Sequence, residues 1–486
     1  MDRISVSGKH FLDEAGRTRI FSGVNAVYKG DERDENGEIR YRFGPDDAAL
    51  SALAAAGTDL IRLGVTWAGI EPERGRWNDL YLADVKNAVR LCEARGIRVL
   101  LDFHQDLFSA YCYCGDGAPE WACVKPKAGR KPKVIWAEGY FFSGSVRKSF
   151  DRFWLNTPVG GEGLQERYCE MLRHTLAFLA DCPGVMGVDV LNEPFPGSAG
   201  RTIGLALIKG ALRELPRAKR AEYKSLFASL IAGDVMGALR VLSDPKRLNR
   251  VERAAGRLVR RFDLECYGPF LERAAAAVRS VSPGLVIFAE NCYFSNLGIP
   301  CSVERPAAAG AQFAVAPHGY DVTVDTPLTN RADPARVDYI FNEHRRLQER
   351  LGCPVVVGEW GGMVPGDERY PALEHLIDRF DSNGWSQTYW HWFPEMPESP
   401  ILKVLARPRP AAVAGTPLLS GYDRRLKRFT MVYAGDAKAN APTRVYVPEP
   451  PKETDASLPV TVISENGAYY LELPPADGPQ RVALRF

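Results

Sequence analysis

Eight short apolar runs punctuate the chain between residue 19 and about residue 395: Arg19–Ala26, Asp59–Trp67, Arg98–Asp106, Val185–Glu193, Leu285–Cys292, Phe313–Asp321, Pro354–Trp360 and Trp385–Trp392. Amphipathic stretches with helix caps and stops separate several of them, as in Gly44 through Gly57, Tyr81 through Gly96 and Ala335 through Gly352. Short apolar strands that alternate with helices form βα units around a parallel sheet. Eight units predict an α/β fold, a closed (β/α)8 TIM barrel, rather than an open sheet. An open nucleotide-binding sheet would carry a glycine-rich turn at its switch point. No GxGxxG occurs, and Gly160-Gly161-Glu162-Gly163 reads as a turn and helix cap.

Beyond Pro400 the period changes. The runs Phe429–Tyr433, Arg444–Val447, Pro459–Ile463, Ala468–Leu473 and Arg481–Phe486 alternate and are broken by Pro, Gly, Asp and Asn, which predicts a small all-β sandwich. Pro408 through Pro417 reads as the connector, so the expected division is a barrel over residues 1–405 and a C-terminal sandwich over 406–486. An insertion at about 197–262 interrupts the barrel. Between Gly197 and Phe262 stand fifteen basic and five acidic residues, a local net charge of +10 in a chain whose total is only +2. Helical spacing in Leu226–Ile231 and Val235–Leu242 predicts that helices carry this charge. Such a segment is either a solvated helical hairpin or a lid that contacts an anionic membrane surface. The balanced total charge gives no case for nucleic acid.

Active sites of such barrels lie at the C-terminal ends of the strands, where Asn25, Arg62, His104, Glu193, His318, Glu359 and Trp390 fall. Two of these ends are glutamates: Val185-Met-Gly-Val-Asp-Val-Leu-Asn-Glu193 and Pro354-Val-Val-Val-Gly-Glu359. A carboxylate ending a buried strand loses its water unless it is paired or put to use. Although 166 positions apart, the two glutamates meet across the mouth of a barrel on strands four and seven. A carboxyl that protonates a leaving oxygen beside a carboxylate that attacks or activates water is the machinery of glycoside hydrolysis. Two structural ion pairs would be the plain alternative. Other chemistries lack their residues: no GxSxG elbow, no HExxH, and, after the later strands, no GDxxD or GNH[DE] to accompany Asp102-Phe-His104. The ten cysteines have no paired CxxC spacing, so no metal site is expected. Cys112 or Cys114 with Cys123, and Cys292 with Cys301, lie in expected loops and could pair in an oxidising compartment. The segment Met1–His10 has no apolar core and no run is long enough to span a bilayer, so the chain as written reads as neither secreted nor membrane-spanning.

Asn192-Glu193-Pro194, Glu359, Arg62 in Leu-Ile-Arg-Leu-Gly-Val-Thr-Trp67, His104 in Asp-Phe-His-Gln-Asp106, His318-Gly-Tyr320 and Trp390 together resemble glycoside hydrolase family 5 over the whole barrel. Lys29 after Gly23-Val-Asn-Ala-Val-Tyr, Trp67-Ala-Gly-Ile-Glu-Pro72, Gly115-Asp-Gly-Ala-Pro-Glu-Trp121, Leu191–Gly197 and Ala411–Pro417 are similar to its endoglycoceramidase branch. The resemblance implies a retaining β-glycosidase, free of cofactor, that cleaves between sugar and ceramide in glycosphingolipids by double displacement. It makes Glu193 the acid/base and Glu359 the nucleophile, with Arg62 and Tyr320 holding Glu359 ionised. It puts Asn192 on the sugar 2-hydroxyl, His104 and His318 along the reacting-sugar subsite, Trp390 beneath it, and Lys29, Asp102 and Asp106 on outer hydroxyls. Two departures stand out: the polar stretch Gly30–Gly37 after Lys29, and the basic insertion after strand four. An exo-acting glucosylceramidase, a β-glucanase with the same two glutamates, and an inactive carbohydrate- or lipid-binding barrel remain as alternatives.

Overall fold

The computed structural model describes residues 1–486 apart from 31, 127–135, 215–244, 322–323, 325–332 and 363–369. Eight parallel strands form the barrel: Ser22–Val27, Leu60–Val65, Arg98–Phe103, Val185–Asp189, Val286–Ala289, Phe313–Val315, Val356–Val357 and Ser386–Tyr389. The sheet runs in the order six, five, four, three, two, one, eight, seven, and the parallel bridges Val315–Val355 and His318–Glu359 join the sixth strand to the seventh and close the ring. Each strand overlaps one of the apolar runs.

Strand geometry decides what enters the barrel. Successive side chains point to opposite faces, so residues two apart share one. Ile61, Leu63 and Val65 pack outward with Val99, Leu101 and Phe103 against the helices. The alternate positions point inward, and along them the chemistry changes. Leu60 is followed by Arg62, Leu100 by Asp102 and His104, Val286 and Phe288 by Glu290, and Ala314 and Ala316 by His318. The lower layers are therefore apolar and the layer at the C-terminal end is charged. A hairpin of Ser5–Ser7 and His10–Leu12 plugs the lower end, where Phe11 stacks on Phe288 at 5.9 Å and meets Phe21 edge-on at 6.0 Å.

The same N-terminal segment alters the expected division at residue 405. Thr18–Arg19 pairs with Arg409–Val413, placing the first three strands in a seven-stranded sheet with Arg409–Val413, Thr443–Val447, Ala468–Leu473 and Thr461–Glu465. Arg19, read as the start of barrel strand one, belongs to this sheet. A four-stranded sheet of Gly415–Asp423, Arg428–Gly435, Gly478–Arg485 and Glu453–Ala456 packs over it through Val413, Phe429, Met431, Val445, Leu471 and Val482. The expected connector is thus two strands. Its prolines are tolerated because the register slips between Pro410 and Ala412, and a bulge is where a sheet accepts a residue without an N–H.

In the basic insertion, Ala199–Glu214 and Pro245–Phe262 are helices, tied by Arg250 to Glu214 at 2.7 Å. The expected helices at Leu226–Ile231 and Val235–Leu242 lie outside the described residues. Gly160 and Gly161 turn a two-stranded hairpin, and Glu166 completes the cap of the following helix. All ten cysteines are free thiols. No described helix is long and apolar enough to cross a membrane.

Candidate active site

Arg62, wholly buried on the inward face of strand two, organises the site. Its Nη1 lies 2.9 Å from Glu359 Oε1 and donates to Asn25 Oδ1 at 3.0 Å. Its Nη2 meets Asn192 Oδ1 at 2.9 Å, Glu290 Oε1 at 2.6 Å, Asp102 Oδ1 at 2.9 Å and Asp189 Oδ2 at 3.1 Å. One guanidinium cannot neutralise four carboxylates, and the groups divide accordingly. Burial and the neighbouring Glu290 push Asp189 well above the usual carboxylate range, against the pull of Arg62. Burial also pushes Glu290 up, but His318 and Arg62 outweigh it and bring that carboxyl down to about 2.

The two strand-ending glutamates face each other above this base. A carboxylate oxygen of each and a ring nitrogen of His318 all lie within 4.8 Å of one another. Tyr320 Oη donates to Glu359 Oε2 at 2.9 Å, opposite the Arg62 contact on Oε1. Glu193 sits in left-handed backbone at φ +41°, a conformation costing a non-glycine residue on the order of 1–3 kcal/mol, and its N–H donates to Glu290 Oε2 at 2.7 Å. Asn296 Nδ2 at 2.6 Å and His318 Nδ1 at 3.0 Å both point at Glu193 Oε1, which leaves Oε2 to carry the proton. Burial and the charge of Glu359 raise the Glu193 carboxyl to about 7 against the pull of His318, the value a general acid needs near neutrality.

A cavity of about 590 Å³ opens over the pair, and its wall falls into two sets. One is polar: Lys29 bridges Asp106 and Asp116, with 3.7 Å to the latter, and lies 4.9 Å from the centre of the Trp390 ring. His104 stacks on Trp390 at 5.8 Å. The Lys29 ammonium is held above its ordinary range by Asp106 and Asp116 despite burial, and Asp116 is raised by burial and by Asp106 to about 6. The other set is apolar: Trp136, Phe141, Leu207, Tyr293, Phe294 and Leu297.

All eleven residues singled out in the sequence converge here, but on two levels. Lys29, His104, Asp106, Glu193, Tyr320, Glu359 and Trp390 line the cavity. Arg62, Asp102, Asn192 and His318 lie beneath it. Asp102 is therefore not placed to bond outer hydroxyls: it is fully buried, with one oxygen on Arg62 and the other 2.8 Å from His104 Nδ1. His318 likewise does not line the sugar side, since Nδ1 faces Glu193 and Nε2 lies 3.1 Å from Glu290. Asn192, 1% exposed, turns its carbonyl to Arg62 and donates from Nδ2 to the Gln105 carbonyl at 3.0 Å. Glu290, Asp189, Asp116 and Asn296 were not singled out. Glu290 carried a readable signal, because it too ends an apolar strand.

Among the described residues, three sets of buried carboxylates and imidazoles are close enough to share a cation: His104, Asp106 and Asp116; Glu193, His318 and Glu359; Asp102, Asp189 and Glu290. Each already touches a protein cation, Lys29 in the first and Arg62 in the other two.

Family models match both parts of the chain. Residues 36–203 and 265–395 match the cellulase (glycosyl hydrolase family 5) domain, and residues 407–470 match the glycoside hydrolase family 5 C-terminal domain. The chain belongs to glycoside hydrolase family 5. This family 5 hydrolase is 25% identical over 461 residues to endoglycoceramidase I of Rhodococcus hoagii, covering 91% of its own length and 79% of that protein. Its fold is that of endo-glycoceramidase II from Rhodococcus sp., solved with ganglioside GM3, at a TM-score of 0.74 and 22% identity over 99% of both chains. It also matches the crystal structure of an endogalactoceramidase, at a TM-score of 0.70 and 20% identity over the full length of both.

Proposed function

We propose that this family 5 hydrolase is a retaining endo-β-glycosidase that separates sugar from ceramide in glycosphingolipids. The observation that carries the reading is the two-part wall of the cavity. The same wall holds charged groups and Trp390, suited to hydroxyls and a sugar face, and aromatic and aliphatic side chains suited to acyl chains. A glucan has no use for the second. The relatives named for ceramide glycosides support the same substrate, and a neighbour trapped as a lactosyl-enzyme supports a covalent route.

The carboxyl spacing supports retention, since double displacement uses carboxyls about 5–5.5 Å apart and inversion needs roughly 6.5–9.5 Å. Glu359, held by Arg62 and Tyr320, attacks the anomeric carbon as Glu193 passes its proton from Oε2 to the departing ceramide oxygen. The Glu193 carboxylate then takes a proton from water, whose oxygen displaces Glu359 and regenerates both groups. Lys29, Asp106 and Asp116 serve hydroxyls farther from the cleaved bond, and Trp390 packs under a ring. Incubation with glucosyl-, galactosyl-, lactosyl- and ganglioside-ceramides tests the substrate: an intact oligosaccharide released from the longer lipids is expected. Release of single terminal sugars would instead establish exo action. Glu359→Gln should abolish turnover in the same assay, and persisting activity would exclude it as nucleophile.

We further propose that the insertion meets a lipid surface. On the helix Ala199–Glu214, Leu205, Ile208 and Leu212 are 53%, 57% and 57% exposed, with exposed Arg201, Lys209 and Arg213 beside them, while Leu207 and Gly204 of the same helix line the cavity. An apolar stripe edged by cations fits an anionic bilayer interface. Changing all three stripe residues to serine should abolish sedimentation with anionic vesicles and leave hydrolysis of a soluble aryl glycoside unchanged. Unaltered vesicle binding would rule the surface out.

A further inference from the structure

We propose that Glu290 is a positioning residue of this site: a buried carboxylate that holds His318 as an imidazolium through a charge contact at Nε2, so that His318 steadies Glu193 whenever Glu193 is ionised. The inference rests on the reading of Glu193 as acid/base.

Glu290 follows strand five on the inward face, is 1% exposed, and does not line the cavity. Three of its contacts reach the support of each reacting group. Oε1 accepts from Arg62 Nη2 at 2.6 Å, and Arg62 holds Glu359. Oε1 also lies 3.1 Å from His318 Nε2, and His318 Nδ1 lies 3.0 Å from Glu193 Oε1 and 3.6 Å from Glu359 Oε2. Oε2 accepts the backbone N–H of Glu193, fixing the left-handed turn that presents the acid.

An imidazole with the Glu290 carboxylate at one nitrogen and the unprotonated Oε1 of Glu193 at the other needs a hydrogen on both, because a neutral ring would set a lone pair against one of those oxygens. Hydrolysis makes that arrangement useful. Glu193 begins protonated, becomes an anion once its proton has gone to the leaving oxygen, and regains a proton from water. Through that cycle a fixed donor beside Oε1 favours the anion, and Asn296 adds a second donor. The charged and titratable groups facing His318 are Glu193, Glu290 and Glu359, with His344 donating to its backbone oxygen at 2.8 Å. Those facing Glu290 are Arg62, His318, Asp189 and Tyr267.

The expected effect of Glu290→Gln has a definite sign. With its anionic partner gone, His318 sheds a proton, so a neutral pair replaces an ion pair. The positive member is the one touching Glu193, and its loss makes Glu193 harder to ionise. The alkaline limb of kcat/KM on a β-glycoside with a poor leaving group should move up by about one pH unit. kcat should fall more than KM changes. In the parent, ¹⁵N signals of the His318 ring should stay doubly protonated through neutral pH, and in Glu290→Gln they should show loss of a proton there. Glu290→Asp keeps the charge, so it should lower kcat with the limb unmoved and the ring doubly protonated, and it carries the test should the glutamine variant not fold. A parental limb and a doubly protonated His318 in Glu290→Gln would overturn the proposal. So would a His318 that deprotonates near neutrality in Glu290→Asp, or equal losses in both variants with no movement of the limb. If the parent hydrolyses no β-glycoside, the proposed function fails by itself, while the nitrogen titration still decides whether Glu290 sets the state of His318.

Discussion

Two donors hold Glu359, and their unequal burial sets what each contributes. Arg62 is fully enclosed and shared among several carboxylates, whereas Tyr320 gives its hydroxyl to Glu359 from the cavity wall. Tyr320→Phe removes one hydrogen bond to a charged group, worth about 1.5–3 kcal/mol, so kcat/KM should fall roughly ten- to a hundredfold with Tm little changed. A fall below threefold would mean that Arg62 alone suffices. The acid makes a second prediction. Glu193 must be protonated to act, and burial beside Glu359 raises it to about 7, so kcat/KM on substrates with poor leaving groups should decline above about pH 7. A dinitrophenyl glycoside, which leaves without a proton, should not show that limb. The two glutamates were legible because a carboxylate after a run such as Val185–Val190 has no packing explanation. Their depth was not legible. Sequence marks a strand-ending acid in the same way whether it opens on the cavity, as Glu359 does, or lies under it, as Glu290 does. Asp102 and His318 stand one layer lower than expected for the same reason, and Asp116 comes from a loop and Asn296 from the short 3-10 helix Tyr293–Leu297, whose paths no periodicity records.

At the scale of elements, the helix Pro245–Phe262 buries a carboxyl. Glu252 is 3% exposed beside Tyr339 of the helix Pro334–Leu351, and burial with the nearby Glu343 raises it to about 8. An acid raised above its unfolded value of about 4.3 stabilises the fold fully below that pH, and the contribution drains away as pH climbs through the folded value. Glu252→Gln should therefore raise Tm at pH 8, and its advantage should shrink toward pH 4.5. Thermal unfolding at several pH values checks this, and an advantage independent of pH would assign the effect to packing instead. Strand parity was readable for the barrel because runs such as Leu60–Val65 are apolar at every position but the inward-facing Arg62. It failed at Arg409–Val413 because proline normally ends strands, and only the bulge at Pro410 lets one stay inside a sheet. The N-terminal strands, two or three residues each, are too short to show a period at all.

Across the whole molecule, Phe11 joins what the sequence keeps separate. It packs on Phe288 inside the barrel, while the strand beside it leads through Thr18–Arg19 into the C-terminal sheet. Phe11→Ala should cost about 3–5 kcal/mol in chemical denaturation, as a buried aromatic does, and should shift barrel and sandwich signals together. Separate transitions would show that the two parts unfold independently. The (β/α)8 architecture and the change of pattern near residue 400 were both visible in composition and period. The sharing of one sheet by opposite ends of the chain was not, since it depends on a pairing over 393 positions, from Arg19 to Ala412. That distance is also a delay. At synthesis rates of roughly 5–20 residues per second, the segment that plugs the barrel leaves the ribosome roughly 20–80 s before the strand it pairs with exists. Through that interval its edge is open, and any chaperone that attends this protein has its natural task there.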